Sequence, residues 1–453
     1  MRSVLTTVAL LLLPLAAVAN VHEYRLDNGL KVIVKEDRRA PIAVSQVWYK
    51  VGASYEPGGV TGVSHVLEHM MFKGTHSLAA GEYSRIIAAN GGQENAFTSR
   101  DYTAYHQTLS ADRLEVAFKL EADRMRNLTL SAEEFAKEIE VVKEERRLRT
   151  EDKPASLTYE QLSAVAYRSL PYANPVIGWM ADLENMTVED LASWYRLWYA
   201  PNNAILVVVG DVQAEQVLAL AKRYFGPIEA ETIPLQKARS EPRQRGVTRV
   251  TVRAPAREPY LIFGFKTPVV GSSDEDWEPY ALEILASVLD GGGSARFTRN
   301  LVRGREIAVS AGAGYSAFAR LPGMFLVDGT PAPGKDIAML EAALLDEIAT
   351  VQRDLVSDSE LRRIATQVVA GKVYELDSVF AQAMLIGRLE AINLDWKLAK
   401  EYVERIKQVT PEQVREVARK YLIADNMTLA VLDPLPLGDA AASNTKGGGY
   451  ARH

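Results

Sequence analysis

The segment Thr187–Asp211, TVEDLASWYRLWYAPNNAILVVVGD, is matched near the end of the chain by Thr410–Asp433, TPEQVREVARKYLIADNMTLAVLD. Both segments predict the same unit, in which a threonine-capped helix is followed by a turn and a buried strand. Asn203 and Asn426 occupy the same place in the two turns. Because the register holds across two elements and the copies lie half a chain apart, we interpret the sequence as a duplication.

The duplication predicts an α+β fold of two homologous α/β-sandwich halves, each a mostly antiparallel sheet covered by helices. A chain of 453 residues also exceeds what one hydrophobic core usually organises. The segment from Gly226 to Gly246 is polar and carries three prolines, which is typical of a linker. We therefore predict a leader segment at 1–19, an N-terminal domain at 20–227 that contains every histidine but the last, a linker at 228–246, a C-terminal domain at 247–436 without histidine, and a disordered tail at 437–453.

The first twenty residues, MRSVLTTVALLLLPLAAVAN, combine one arginine, a short apolar run and the small-residue pattern Ala17-Val18-Ala19. This pattern predicts a secretory signal cleaved after Ala19, and the periplasm as the destination. A membrane anchor is the alternative, but the apolar run is shorter than the roughly 20 residues that a transmembrane helix needs. No other segment is apolar enough, so we expect no membrane span after signal removal.

The overall composition excludes several classes of protein. The formal net charge is -6, with no long basic run, which argues against binding to nucleic acid. The chain has no cysteine, so disulfides, thiolate metal ligands and a cysteine nucleophile are excluded. Any metal must therefore be held by histidine, aspartate or glutamate.

The stretch SHVLEHMMFKG, Ser64 to Gly74, predicts a metal-binding helix. His65 and His69 are four residues apart and so lie on one helical face, with Glu68 beside them. Two imidazoles and a third protein ligand are typical of a catalytic zinc, and a neighbouring carboxylate can then serve as general base. The pattern is a known zinc signature, and Glu68 is the predicted base. The alternative is an ordinary amphipathic helix whose histidines only pack against the core.

The acidic helix SAEEFAKEIEVVKEERRLRT, residues 131–150, offers six glutamates as a third ligand. Glu138 and Glu145 lie two turns apart and share a face with Val141 and Val142, which we expect to turn inward. Spacing alone makes Glu145 the best of several candidates. Most of the other charged side chains of this helix are expected to form ion pairs exposed to solvent. The six candidates are Glu133, Glu134, Glu138, Glu140, Glu144 and Glu145.

The stretches GVSHVLEHMMFKGT, NAFTSRDYTAYHQTL and EIEVVKEERR, together with the duplicated half, make the chain resemble the inverted-motif zinc peptidases of the M16 family. This family includes pitrilysin, insulin-degrading enzyme and the mitochondrial processing peptidase, and the chain is similar to its secreted bacterial members. The resemblance implies one zinc ion per chain, with Glu145 completing the ligand set of His65 and His69. It also implies that Glu138 supports the site from the outer shell.

The resemblance further implies how a peptide is bound. The NAFT stretch, Asn95, Ala96, Phe97 and Thr98, matches the family's edge strand beside the zinc, to which a substrate adds as an extra strand. Family members usually place an arginine and a tyrosine from the second half at the substrate carbonyl. Here Arg303 lies near the arginine position, but Val309 stands at the tyrosine position and Tyr315 lies farther along.

These observations together predict a secreted zinc endopeptidase that hydrolyses peptides or small unfolded polypeptides. The missing tyrosine predicts a dimer, and a heterodimer in which a related zinc-free chain supplies the arginine and tyrosine is favoured over self-pairing. One alternative is a non-catalytic peptide-binding or assembly subunit of such a heterodimer. Another is a metal-dependent hydrolase of non-peptide esters or amides.

Overall fold

A computed structural model describes residues 21–437 of the chain. The predicted signal peptide at 1–19, and the predicted tail beyond its first residue, lie outside this range. Within residues 21–437, none of the helices combines the length and the apolar character needed to cross a membrane.

The first half is built on a six-stranded sheet in the order β1-β2-β6-β3-β5-β4. Every neighbouring pair is antiparallel except β2 and β6, which are parallel. The order places β4 at an edge of the sheet. The strands are β1 Val21–Arg25, β2 Lys31–Glu36, β3 Ile42–Tyr49, β4 Gln93–Thr98, β5 Thr103–Ser110 and β6 Ala204–Gly210.

The second half repeats this sheet with five strands in the order β7-β11-β8-β10-β9. Its single parallel pair, β7 and β11, corresponds to β2 and β6, and its edge strand β9 corresponds to β4. The prediction of two related, mostly antiparallel sheets is therefore confirmed. The strands are β7 Thr248–Pro255, β8 Tyr260–Thr267, β9 Ala308–Gly314, β10 Gly323–Pro331 and β11 Met427–Leu435.

Fourteen helices pack on the two sheets within the described residues. The predicted histidine helix and acidic helix are present as α1 and α4, and a π-helical turn at Arg147–Glu151 continues α4. The helices are α1 Val63–Met70, α2 Glu82–Ala89, α3 Leu114–Arg126, α4 Ala132–Arg146, α5 Pro154–Ala166, α6 Met180–Asn185, α7 Val188–Trp198, α8 Ala214–Tyr224, α9 Glu278–Asp290, α10 Ile337–Arg353, α11 Asp358–Glu375, α12 Val379–Ala391, α13 Leu398–Lys407 and α14 Pro411–Tyr421.

The repeated residues perform the same local tasks in both halves. Thr187 and Thr410 each form a capping box at the start of α7 and α14, so the first backbone N–H groups of both helices are satisfied. The side-chain amides of Asn203 and Asn426 each donate to a backbone carbonyl at the end of the preceding helix, over 2.9 and 3.0 Å. The residues that match in the two sequence segments therefore make the same hydrogen bonds in the structure.

One helix of each half packs on the sheet of the other half, which was not predicted from the sequence. One face of the first sheet packs against α12, whose Ala383 and Ile386 meet Trp48 and the strands around it. The second sheet in turn packs against α5 through Leu162. The predicted limits of the two domains, 20–227 and 247–436, remain a proposal, because both domains complete their cores with a helix from the other.

Gly387 lies where α12 crosses the first sheet, and a Cβ atom there would collide with the indole of Trp48, which is fully buried. We predict that Gly387→Ala lowers the free energy of unfolding by about 1–3 kcal/mol, as overpacking does in other cores. The matched control is Gly371→Ala in α11, where a Cβ would meet no atom within 4 Å. Because alanine favours helix over glycine, this control is expected to gain about 0.5–1 kcal/mol. Urea denaturation checks both, and equal midpoints for the two variants would contradict the packing argument.

Candidate metal centre

Helix α1 presents its two histidines on the flank opposite its apolar face. Val63, Val66, Leu67 and Met70 are buried in the core of the first half. This fixes the rotation of the helix, and the rings of His65 and His69 then lie side by side with their centroids 4.8 Å apart. His65 is 9% exposed.

Helix α4 packs against α1 and supplies the acidic side of the site. Phe135, Ile139 and Val142 are buried in the same core. The expectation that Val141 also turns inward is wrong, since Val141 is 50% exposed. The reason is that this flank of α4 borders an open cavity rather than the core.

The structure brings His65, His69 and Glu145 together. Glu145 Oε2 lies 3.8 Å from His65 Nε2 and 3.4 Å from His69 Nε2, and one ligand atom from each of the three residues lies within 4.8 Å of the others. A tetrahedral zinc with bonds of about 2.0–2.1 Å separates its ligand atoms by about 3.4 Å, so the spacing and the donor types suit zinc. Glu144 is more exposed and pairs with Arg147 instead.

In both Glu138 and Glu145, one carboxylate oxygen lies near a histidine and the other near a cation. Glu138 Oε1 lies 3.0 Å from His69 Nδ1, and its Oε2 lies 2.5 Å from Lys73 Nζ. Because a carboxylate only accepts hydrogen bonds, Nδ1 carries the proton and Nε2 of His69 keeps its lone pair for a metal.

The second cation is Arg149, whose Nη1 lies 2.7 Å from Glu145 Oε1. Neither Lys73 nor Arg149 was predicted from the sequence. A spacing of four residues could have identified them in the sequence, because Lys73 follows His69, and Arg149 follows Glu145, by one helical turn.

The local electrostatics separate the roles of the titratable groups. Burial lowers the pKa of His65 to about 3, so its imidazole is neutral and able to bind a metal near pH 7. Burial raises the pKa of Glu68 above its usual value. Although burial acts to raise the pKa of Glu138, its hydrogen bonds with Lys73 and His69 bring it below the usual value.

The metal centre opens into a cavity of about 1360 Å³ that β4 borders. Asn95, Ala96, Phe97 and Thr98 all line it, together with His65, Glu68 and His69. Thr98 links the strand to the site, because its hydroxyl donates to Glu68 Oε2 over 2.5 Å. The edge position of β4 and its closeness to the histidines agree with what the resemblance implied.

The second half contributes no residue to the lining of this cavity within the described part of the chain. Arg303 is exposed on the segment after α9, and Val309 is exposed on β9. The Tyr315 hydroxyl donates to the carbonyl of Pro268 over 2.7 Å. The structure therefore brings neither Arg303 nor Tyr315 to the histidines of the same chain.

Comparison with known protein families gives two matches. Residues 31–179 match the family described as insulinase, peptidase family M16. Residues 185–368 match the domain described as the peptidase M16 inactive domain. The second match covers a region without histidine, whereas the first contains both histidines of α1.

Known relatives match nearly the whole chain. A Helicobacter pylori protein named zinc protease PqqE is 30% identical over 90% of this chain and 92% of its own. An uncharacterized zinc protease of Bacillus subtilis, YmxG, is 26% identical over 91% of this chain and 98% of its own.

Among solved structures, the crystal structure of a protease from Helicobacter pylori covers 92% of this chain and 100% of its own, with a TM-score of 0.87 and 29% identity. The periplasmic protease PqqL of Escherichia coli shares the fold, with a TM-score of 0.76 and 18% identity over 95% of this chain and 51% of its own. The agreement of family models, relatives and fold shows that this chain belongs to the M16 family of peptidases.

Proposed function

We propose that the chain is a zinc-dependent endopeptidase that hydrolyses peptides or small unfolded polypeptides. The observation that carries the proposal is the convergence of His65, His69 and Glu145 from two helices, with Glu68 held beside them by a residue of an edge strand. The relatives named zinc proteases support the same metal.

His65, His69 and Glu145 would hold one zinc ion. Two neutral imidazoles and one carboxylate are a common ligand set of catalytic zinc, which leaves a fourth position open. When bound, zinc supplies a Lewis acid that polarises a carbonyl and lowers the pKa of water to about 7. Glu138 and Arg149 would hold His69 and Glu145 in the binding orientation through their contacts of 3.0 and 2.7 Å.

Glu68 is the proposed general base. Its carboxyl group faces the cavity beside the three ligands without belonging to the ligand set. Thr98 occupies Oε2, which leaves Oε1 to take a proton from the attacking water and to pass it to the leaving amine nitrogen. Because burial raises its pKa, Glu68 binds this proton more strongly than an exposed glutamate would.

The outer edge of β4 is the proposed site for the substrate backbone. An extended peptide can add to an edge strand through main-chain hydrogen bonds, which recognise backbone rather than sequence. The Ala96 N–H currently donates to the side chain of Asn95 over 2.8 Å. A bound peptide would replace this local contact and lie across the cavity next to Glu68.

Two finer proposals concern assembly and location. The cavity lining lacks any second-half residue within the described chain, so we propose that a dimer partner supplies the arginine and tyrosine, either a copy or a related zinc-free chain. The longer PqqL chain, of which this chain matches 51%, supports two such units acting together. The sequence of residues 1–19 supports secretion to the periplasm.

The ligand role of Glu145 can be tested against its neighbour. We predict that Glu145→Gln loses most of its bound zinc, because a neutral amide is a poor zinc ligand and Arg149 is left without its carboxylate. Glu144→Gln is the matched control, one residue away and also paired with an arginine, and is expected to keep one zinc per chain. Atomic absorption after dialysis measures both. Equal zinc contents would contradict the assignment of Glu145.

If Glu68 is the general base, replacing it should lower the peptidase activity without changing zinc binding. Glu68→Gln is expected to bind zinc normally while kcat falls at least 100-fold, since the amide cannot accept the proton. Mass spectrometry of the products from a mixed peptide pool measures the activity. A variant that binds zinc and cleaves at the wild-type rate would remove the proposed mechanism. A wild-type chain that binds peptide but cleaves none, alone or with partner chains, would favour a non-catalytic subunit.

The proposed assembly predicts that activity depends on association. Peptidase activity per chain should rise with concentration in the range where sedimentation velocity shows dimers, or on addition of a related zinc-free chain, because the arginine and tyrosine then come from the partner. Full activity from a strictly monomeric sample would exclude this proposal while leaving the zinc site intact.

A further inference from the structure

The two histidines of α1 are oriented in different ways. His69 is held through its second ring nitrogen, since Nδ1 lies 3.0 Å from Glu138. His65 has no such support, because its Nδ1 is buried and has no hydrogen-bond partner within the described chain. Metal-binding histidines usually receive an outer hydrogen bond that fixes the ring. The position of His65 must therefore depend on the backbone that carries it.

The backbone next to His65 is held by a buried carboxylate. Glu56 lies outside α1 and is 5% exposed. Its Oε2 accepts the N–H of Gly62 over 2.7 Å, and its Oε1 accepts the N–H of Ser64 over 2.8 Å. No cap from the side chain of the N-cap residue is present, because that residue is Gly62. Glu56 thus satisfies N–H groups that the start of a helix leaves free.

The surroundings leave this helix start little freedom to shift. Gly62 has a φ of 90°, and a Cβ atom there would lie 2.5 Å from the carbonyl oxygen of Ile177. Thr61 is fixed from the other side, since its N–H and hydroxyl both donate to Asp182. Burial raises the pKa of Glu56 to about 7, in keeping with a carboxyl group shielded from solvent. Glu56 is therefore locked between packed backbone segments.

We propose that Glu56 is a positioning residue of the metal centre, which sets the place of His65 by fixing the Gly62 and Ser64 amides at the start of α1. This inference rests on the proposed zinc site. It assigns one outer support to each histidine, a side-chain contact from Glu138 for His69 and a backbone anchor from Glu56 for His65. Helix α1 is only eight residues long, so a shift at its start is transmitted to His65 directly.

The test compares zinc affinity in wild type and in Glu56→Gln. The glutamine side chain keeps one acceptor oxygen, but its NH₂ group replaces the other. Because this group faces a backbone N–H and both are donors, one of the two hydrogen bonds that anchor the helix start is lost. We expect the zinc dissociation constant, measured by competition with a chelator, to rise about 10–100-fold, as for other outer-shell changes. The absorption spectrum of the Co²⁺-loaded variant should also change, which a loss of stability alone would not cause.

The matched control is Glu278→Gln in the second half. Glu278 is 1% exposed, begins α9 and accepts a hydrogen bond from Tyr421 over 2.7 Å. Its replacement should lower the melting temperature but leave zinc affinity and the Co²⁺ spectrum unchanged. If Glu56→Gln does not fold, Glu56→Asp takes its place, since the shorter side chain keeps the charge but cannot reach both amides.

The outcomes separate the two proposals. Wild type that binds zinc, with a folded Glu56 variant of equal affinity and equal Co²⁺ spectrum, overturns the positioning role and leaves the proposed function standing. Wild type that binds no zinc overturns the proposed function and this inference with it. A weakened Glu56 variant beside an unchanged Glu278 variant supports the positioning role.

Discussion

The packing of α4 against α1 is the constraint on which the proposed metal centre depends. Two histidines one turn apart define only one side of an ion, and the other donor must come from a second element. The buried faces of the two helices fix their rotation, so that His65 and His69 on one meet Glu145 on the other at 3.8 and 3.4 Å. The ligand spacing is thus a consequence of core packing, since the buried faces of both helices belong to the same core.

The second half shows that this framework does not itself produce a cluster of metal-ligating side chains, since between residues 247 and 437 none is present. Helix α9 packs beside edge strand β9 much as α1 packs beside β4. Its inward-facing Glu283 accepts a hydrogen bond from Tyr402 over 2.6 Å, and burial raises the pKa of Glu283. Aromatic side chains, Tyr280 and Tyr402, pack next to this carboxyl group. The two halves therefore share hydrogen-bonded caps and sheet order, while within residues 21–437 only the first half holds a cluster of metal-ligating side chains.

The predictions from the sequence had different sources. The helix with two histidines follows from a spacing of four residues along one element, which a sequence displays directly. The repeat was recognised from matching residues half a chain apart, and the edge strand and the third ligand were implied by the family resemblance. Contacts between elements far apart in the chain were not predicted, such as the packing of α5 and α12 on the sheet of the opposite half. Val141 was misplaced because periodicity identifies a face but cannot tell a core from an open cavity. Glu56 carried no signal, since only the folded backbone brings its loop to the start of α1.

The carboxylates around the histidines are distinguished by their partners. Glu138 and Glu145 each contact a cation, Lys73 and Arg149, which restricts the orientation of both side chains. Glu68 has no ion pair within residues 21–437 and receives only the neutral hydroxyl of Thr98. Burial raises the pKa of Glu68, although the hydrogen bond from Thr98 acts to lower it. The carboxylates that contact cations are therefore the ones proposed to bind or orient the metal ligands, whereas Glu68, which receives only a hydroxyl from β4, is the one proposed to gain and release a proton.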